Sequence, residues 1–457
     1  MASSAPPTSS RGSEALKNRH PAGLAVLAGT ELAERFSYYG MTALLALYMV
    51  KQLLLPGHAE HVIGLAALRR AFEFRGAMSD QAFASLIYGW YGGLVYFTPI
   101  IGGWVADRWL GIKRTVILGA LLMAAGHLAM SIDATFLIAL LLLIVGSGFL
   151  KGNISAQVGT LYPANVESLR ERGFTIFSTA INIGAVAGPL GTGAIALMYG
   201  WHAGFALAAG LMILALIVYV SGSRYLPDYK AAQAKKAQLP PLTRDEKVRT
   251  WCLVGVIALL IPVNVTYTMI WNIGVVWVDQ HVDLASPMGA VPASWFNSVD
   301  SFASVAAAPF LVALWAWQAR RNSEPSAMTK IAIGAAITGL SGLLLAAGAL
   351  TTSGDEVPVL WPLLGWFGMG LGFMWYWPIT LALVSKAAPA KVNATLMGGS
   401  FLALFFASTI MGWVGSFYDQ MSNAAFWTLD ASIALGSAIV ILAVKRPVNR
   451  ILDLCET

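Results

Sequence analysis

Residues 22–50 read AGLAVLAGTELAERFSYYGMTALLALYMV. The stretch is long enough to cross a bilayer, since a spanning helix needs about 20 apolar residues to cover a ~30 Å hydrocarbon core at ~1.5 Å per residue. Its middle nevertheless holds Glu31, Glu34 and Arg35. A charge at the bilayer centre costs at least ~2.5–3.5 kcal/mol on insertion scales, so such groups are paired or face water. Glu31, Glu34, Arg35 and Tyr38 stand at i, i+3, i+4 and i+7 and therefore share one helix face. That face is expected to look onto a polar cavity rather than lipid. One guanidinium cannot neutralise two carboxylates, so one carboxyl has reason to hold a proton near neutral pH, as a proton carrier must. A structural ion-pair network that only fixes helix packing would carry the same pattern.

The rest of the chain extends the apolar theme. Of its 457 residues, 57% are apolar and 11% charged, against about 25% charged in soluble domains. A disulfide scaffold, a disordered chain and a DNA-binding domain are excluded; Cys252 and Cys455 lie far apart and imply no framework. Glycine is abundant, at 45 residues, as in packed membrane helices. The apolar runs predict an all-α polytopic membrane protein with twelve spans, at about 22–50, 80–105, 115–131, 135–162, 173–198, 202–222, 250–279, 293–318, 328–351, 358–386, 392–417 and 425–445. The polar first twenty residues give no cleavable signal peptide.

An even number of spans puts both ends on one side. With that side cytosolic, 23 of the 29 Lys and Arg fall in inside segments and only Lys51, Arg69, Arg70 and Arg75 lie outside, with Arg35 and Lys151 within spans. This is the positive-inside asymmetry, and it reads the net charge of +6 as topology rather than nucleic-acid affinity. The basic first outer loop has no explanation at this level. The expected organisation is a cytosolic tail (1–21), a six-helix bundle (22–222), a cytosolic linker (223–249), a second bundle (250–445) and a cytosolic tail (446–457), in a plasma (inner) membrane, as a monomer. The linker carries Pro227, Pro240, Pro241 and the stretch AAQAKKAQ. Six spans plus six around such a linker suggest alternating access, with a site near mid-membrane between the halves.

Three further places hold charge. Lys151 sits among small residues in GSGFLKGNIS (146–155), where an ammonium could hold a substrate carboxylate or snorkel to the interface. Asp300 lies about two turns into the eighth span; it could meet a substrate amine or Lys151, or be wetted from outside. In the loop after the second span, Asp107 with Arg108, Lys113 and Arg114 can form a network that locks the inner helix ends, although topogenic charge alone explains the cations. Aromatic clusters at Trp271–Asn272 and Trp375–Pro378 fit either an interfacial belt or a pocket lining. There is no metal spacing, P-loop or nucleophile–base set, hence no enzyme and no cofactor beyond a coupling proton.

These residues carry a resemblance. Residues 31–40 (ELAERFSYYG) resemble the ExxERFxYYG signature of the proton-dependent oligopeptide transporter (POT/PTR) family of the major facilitator superfamily. Residues 102–115 are similar to the superfamily's GxxADRxxGxRRT loop, 149–155 and 158–162 to FKPNIS and VGxLY, and 177–184 to FYxxINxG. The resemblance implies a major-facilitator-type fold, with 12 transmembrane helices in two six-helix bundles, and proton-driven import of di- and tripeptides. It implies that Glu31, Glu34 and Arg35 couple protons to binding, that Arg35 and Lys151 face the peptide carboxylate, and that Tyr38, Tyr39, Tyr96 and Asn182 line the pocket.

The second half departs from the family pattern. Phe373 stands where the family has a glutamate that meets the peptide amine, Asn272 lies where it has an acidic/glutamine cluster, Ser400 replaces a tryptophan and Asp300 an asparagine. Charge balance for Lys151 suggests that Asp300 supplies the missing carboxylate. The alternatives are a cargo that lacks a free amine, or a larger or modified peptide, an amino acid or another organic anion, or a non-transporting peptide sensor.

Overall fold

The computed structural model describes residues 20–162, 167–227, 240–287, 289–351 and 356–452. Twelve long helices run through them: α1 (Ala22–Tyr48), α3 (Asp80–Val105), α4 (Ile112–Ala129), α5 (Phe136–Thr160), α6 (Glu167–Tyr199), α7 (Trp201–Gly222), α8 (Arg244–Met269), α10 (Phe296–Arg320), α11 (Ala327–Thr351), α12 (Leu360–Ala387), α13 (Asn393–Gly415) and α14 (Asn423–Ile451). A short amphipathic helix, α2 (Leu65–Phe72), lies in the first loop; α9 (Val275–His281) continues α8 beyond a π-helical turn at Ile270–Gly274. Ten of the long helices are long and apolar enough to cross a membrane; α1, with its three central charges, and α3, rich in Gly, Tyr and Trp, are the other two. The chain is a multi-pass membrane protein.

Packing reveals a repeat that hydropathy hides. In the first half α1 packs on α6 and α7, α3 on α5, and α4 on α5 and α7. In the second, α8 packs on α13 and α14, α10 on α12, and α11 on α12 and α14, which repeats those pairings; α6 also packs on α7, with no comparable contact of α13 on α14 among the described residues. The bundles meet through α3 with α13 and α6 with α10, which are each other's counterparts. Close approach depends on absent side chains: a Cβ on Gly188 of α6 would stand 2.6 Å from Phe36 O of α1, and one on Gly184 2.7 Å from Leu32 O.

Helix ends differ from the apolar boundaries. α8 starts at Arg244, six residues before the apolar run, because Thr243 and Glu246 form a capping box, Thr243 N donating to Glu246 Oε2 at 2.8 Å. α14 likewise continues past 445 to Ile451. Polar helical overhang of this kind is invisible to a hydropathy reading. The stretch AAQAKKAQ lies outside the described residues.

We call the end that carries the linker and the end of α14 the terminal face and the opposite end the far face. The bonds that join the bundles gather in the far half. Lys51 meets Asp279 at 2.8 Å, Ser79 bonds to Asp419, Trp295 Nε1 donates to Leu190 O at 3.0 Å and Ser298 Oγ to Val186 O at 2.7 Å. Two of the first loop's basic residues find partners here. Besides the Lys51 clasp, Arg69 bridges Glu73 (3.0 Å) and Asp80 (2.6 Å) and donates to Met78 O, closing the loop on the start of α3.

Candidate functional site

A chamber of about 420 Å³ lies between the bundles. Its walls are stripes at helical spacing: Tyr38 and Thr42 of α1; Tyr88, Tyr91, Gly92 and Tyr96 of α3; Asn264, Tyr267, Thr268 and Trp271 of α8 and its π turn; Phe401, Leu404, Ser408 and Met411 of α13. Tyr39, Ile181, Asn182, Ala185, Ser301, Ser304, Phe373 and Trp377 complete it. No Asp, Glu, Lys, Arg or His is among the lining residues. Asn182 and Phe401, toward the terminal face, are exposed, while the far side is closed by the clasps above.

The charges stand one layer behind the rings. Glu31, Glu34 and Arg35 are 3%, 0% and 6% exposed. Arg35 Nε lies 3.1 Å from Glu31 Oε1 and also contacts Glu34 Oε2, while Glu31 Oε2, Glu34 Oε1 and Arg35 Nη2 have no hydrogen-bond partner. Tyr38 and Tyr39 screen the trio from the chamber, the guanidinium carbon lying 5.3 and 5.9 Å from their ring centroids. Lys151 Nζ stands 3.8 Å from the Tyr38 ring centroid and 5.7 Å from that of Tyr96. A desolvated cation on a phenol face gains about 2 kcal/mol or more, which holds the ammonium where no carboxylate meets it. The polar face of α1 thus abuts the cavity through two rings rather than opening directly onto it.

Four of the expected site residues, Tyr38, Tyr39, Tyr96 and Asn182, line the chamber. Arg35 and Lys151 stand behind its wall. Asp300 departs from expectation: it is 0% exposed, its Oδ2 accepts from Tyr267 Oη at 2.7 Å, and it makes no ion pair with Lys151. Tyr267, on α8, turns across it, so only the neighbours Ser301 and Ser304 reach the cavity. Asn272 is not on the wall either. The π turn swings it toward α3 and α13, where its Nδ2 donates to Ser85 Oγ (2.7 Å) and Met411 Sδ (3.1 Å), so it ties the bundles together. Asp107 and Arg108, between α3 and α4, and Arg114, in the first turn of α4, are exposed and form no ion pair among the described residues; Lys113, beside Arg114, is half-buried.

Phe373 fills the second bundle's side of the chamber. Its ring stacks on Tyr267 at 4.9 Å with 23° between planes, and on Trp377 at 6.2 Å and 21°. Sequence reasoning missed Tyr267. The signal was there: Asn264, Tyr267, Thr268 and Trp271 stand at i, i+3, i+4 and i+7 in an otherwise apolar span. His127 and Asp430 are both 0% exposed, and their side chains have no hydrogen-bond partner among the described residues.

Comparison with known proteins places this geometry. A family model described as POT family matches residues 113–243 and 229–429. The uncharacterized transporter YclF of Bacillus subtilis (strain 168) is 30% identical, over 95% of this chain and 96% of that protein. The di-/tripeptide transporter of Lactococcus lactis subsp. cremoris is 28% identical, over 94% and 96%. Among solved structures, a mutant of the peptide transporter POT in complex with alafosfalin superposes with a TM-score of 0.82 at 27% identity, covering 94% of this chain and 96% of that one.

Proposed function

The chain belongs to the POT family, and from that premise we propose that it is a proton-coupled symporter importing di- and tripeptides by alternating access. One observation carries the reading: a chamber between two bundles, open toward the terminal face, has a buried acid–acid–base trio behind the rings of Tyr38 and Tyr39 that line it. A proton on Glu31 or Glu34 loosens the hold of those carboxylates on Arg35. Arg35 and Lys151 then move past the tyrosines to meet a peptide carboxylate, while Tyr38, Tyr39, Tyr96 and Asn182 grip the backbone. Binding and protonation each raise the other's affinity, by roughly 1–3 kcal/mol where coupling is typical. When the far face opens, the terminal ends of the helices close. Asp107, Arg108, Lys113 and Arg114 are proposed to latch them in that state. Both termini are cytosolic in this reading, the protein works as a monomer in the plasma (inner) membrane, and the proton is its only coupling partner.

Uptake by the purified protein in proteoliposomes, with and without an inward proton gradient, tests it. Glu34→Gln is expected to abolish uphill accumulation and to spare peptide exchange; retained accumulation removes Glu34 from coupling. A second reading is favoured by the uncharged chamber wall: with no acid there to meet an amine, the cargo is a modified peptide or another organic anion. Equal competition by N-acetylated and free-amine dipeptides supports it. Binding without counterflow supports a peptide sensor instead.

A further inference from the structure

Asp300 has no task in the scheme above, yet its setting is unusual. It is fully buried at the junction of α8, α10 and α12, where the Trp271 side chain also reaches it, and its Oδ1 has no direct hydrogen-bond partner among the described residues. No Lys, Arg or His pairs with it among the described residues. The titratable groups that face it are all phenols: Tyr267 of α8, Tyr39 of α1, Tyr88 of α3 and Tyr376 of α12. α6 offers that part of α10 a backbone carbonyl, Val186 O, taken by Ser298. α12 seals the site by close approach, since a Cβ on Gly370 would strike Asp300 O. An ionised carboxylate so placed is desolvated without a counter-charge, and the inexpensive remedy is a proton.

Tyr267 connects this acid to the chamber. Its ring lines the cavity while its hydroxyl donates to Asp300 Oδ2. Phe373 stacks on that ring, and Trp377 stacks on the other side of Phe373. The stack thus holds the phenol with its ring on the chamber wall and its hydroxyl on the carboxylate.

We propose that Asp300 is a second proton-carrying site, loaded from the chamber through Tyr267, and not an anchor for the cargo's amine. A chamber hydronium ion gives its proton to Tyr267 Oη as the phenol's own proton passes to Asp300 Oδ2. One O–H bond forms and one breaks at the phenol, the carboxylate becomes a carboxylic acid, and neutral water is left. Release reverses the same exchange. This rests on the proton-coupled reading, extended to the second bundle.

The first test does not require transport. Infrared difference spectra of the reconstituted full chain, between acid and alkaline pH, are expected to contain a carboxylic C=O band that Asp300→Asn removes, Asp300→Glu restores and Tyr267→Phe shifts. Absence of any Asp300-dependent band overturns the proposal. The second test measures protons moved per peptide from the reversal potential in proteoliposomes. Asp300→Asn is expected to move one proton fewer while keeping counterflow. Unchanged stoichiometry, or lost counterflow in an Asp300→Asn protein that still melts cooperatively, overturns it. If the unsubstituted chain moves no peptide, the transport reading fails, and the infrared result decides Asp300 separately.

Discussion

Gly89 of α3 and Gly412 of α13 cross backbone on backbone: a Cβ on Gly89 would lie 2.6 Å from Gly412 Cα. Around this crossing Ser85 Oγ donates to Gly412 O at 2.9 Å, and Asn272 donates to Ser85 in turn. One helix of each bundle and the π turn are thus pinned in the far half, with the chamber toward the terminal side. Gly89→Ala has no flexible neighbour to displace, so the bundles must part; overpacking of this kind costs about 1–3 kcal/mol. The expected result is a lower melting temperature. It should also give faster labelling, from the far face, of a cysteine placed at Thr42 in a chain whose native cysteines are serine. Gly103→Ala, where a Cβ meets open space, should leave labelling unchanged. Equal labelling in the two variants would show that this crossing does not hold the far face shut.

Arg35 holds two buried carboxylates at once. Removing one partner from a buried ionic set strands charge and costs roughly 3–5 kcal/mol. Arg35→Met should therefore destabilise the fold strongly. Adding Glu31→Gln and Glu34→Gln should restore most of the loss, because no unpaired charge then remains in the helix contact. Thermal melting of the unsubstituted chain, Arg35→Met, the Glu31→Gln and Glu34→Gln pair, and the triple substitution in one detergent reads the coupling. Uphill transport should stay absent in the triply substituted chain, which separates the packing role of the trio from its work on protons.

The first-loop clip has its own pH dependence. The carboxyl of Glu73 lies below its ordinary value of 4.5, chiefly through the Arg69 hydrogen bond and next through the Met78 amide. A carboxyl depressed in the folded state adds stability that is present above its ordinary value and lost as the pH falls through the lower, folded one. Hydrogen-exchange protection over residues 65–80, each rate taken relative to the intrinsic rate at the same pH, should be high above pH 4.5 and fall below it. Glu73→Gln should exchange fast throughout and lose the pH step. Because the pair is partly exposed, salt should weaken the protection as well.

What the sequence reveals follows from where the physics is local. The cost of charge in lipid marks Glu31, Glu34 and Arg35, and helical spacing puts them on one face; both facts need only α1. Lys51 and Arg69 could not be read, because their partners, Asp279 and Asp80, are brought near by folding. Where Asn272 and Asp300 stand could not be read for one reason: polarity in a span signals burial or function but not which, and a π turn or one covering ring decides. The structural repeat is likewise in the packing order and not in residue identity. The chamber itself was half legible. Its stripes recur at i, i+3 and i+4, but aromatic side chains suit an interfacial belt equally well until facing helices are placed.

Phe373 is where specificity can be moved. No acid lines the chamber, and the Phe373 ring occupies the second bundle's wall between Tyr267 and Trp377. Phe373→Glu places a carboxylate there, within the space a cargo amine would enter. A hydrogen bond to a charged group is worth about 1.5–3 kcal/mol net, and 1.4 kcal/mol is tenfold. Free-amine dipeptides should gain about tenfold or more over their N-acetylated forms as competitors for uptake. The gain should fade in acid as the new carboxyl is protonated. The stack should also loosen, since Tyr267 loses a ring partner worth about 0.5–1.5 kcal/mol beyond its area. If Phe373→Ala produces the same preference, lost bulk rather than new charge is responsible, and the amine is read elsewhere in the chamber.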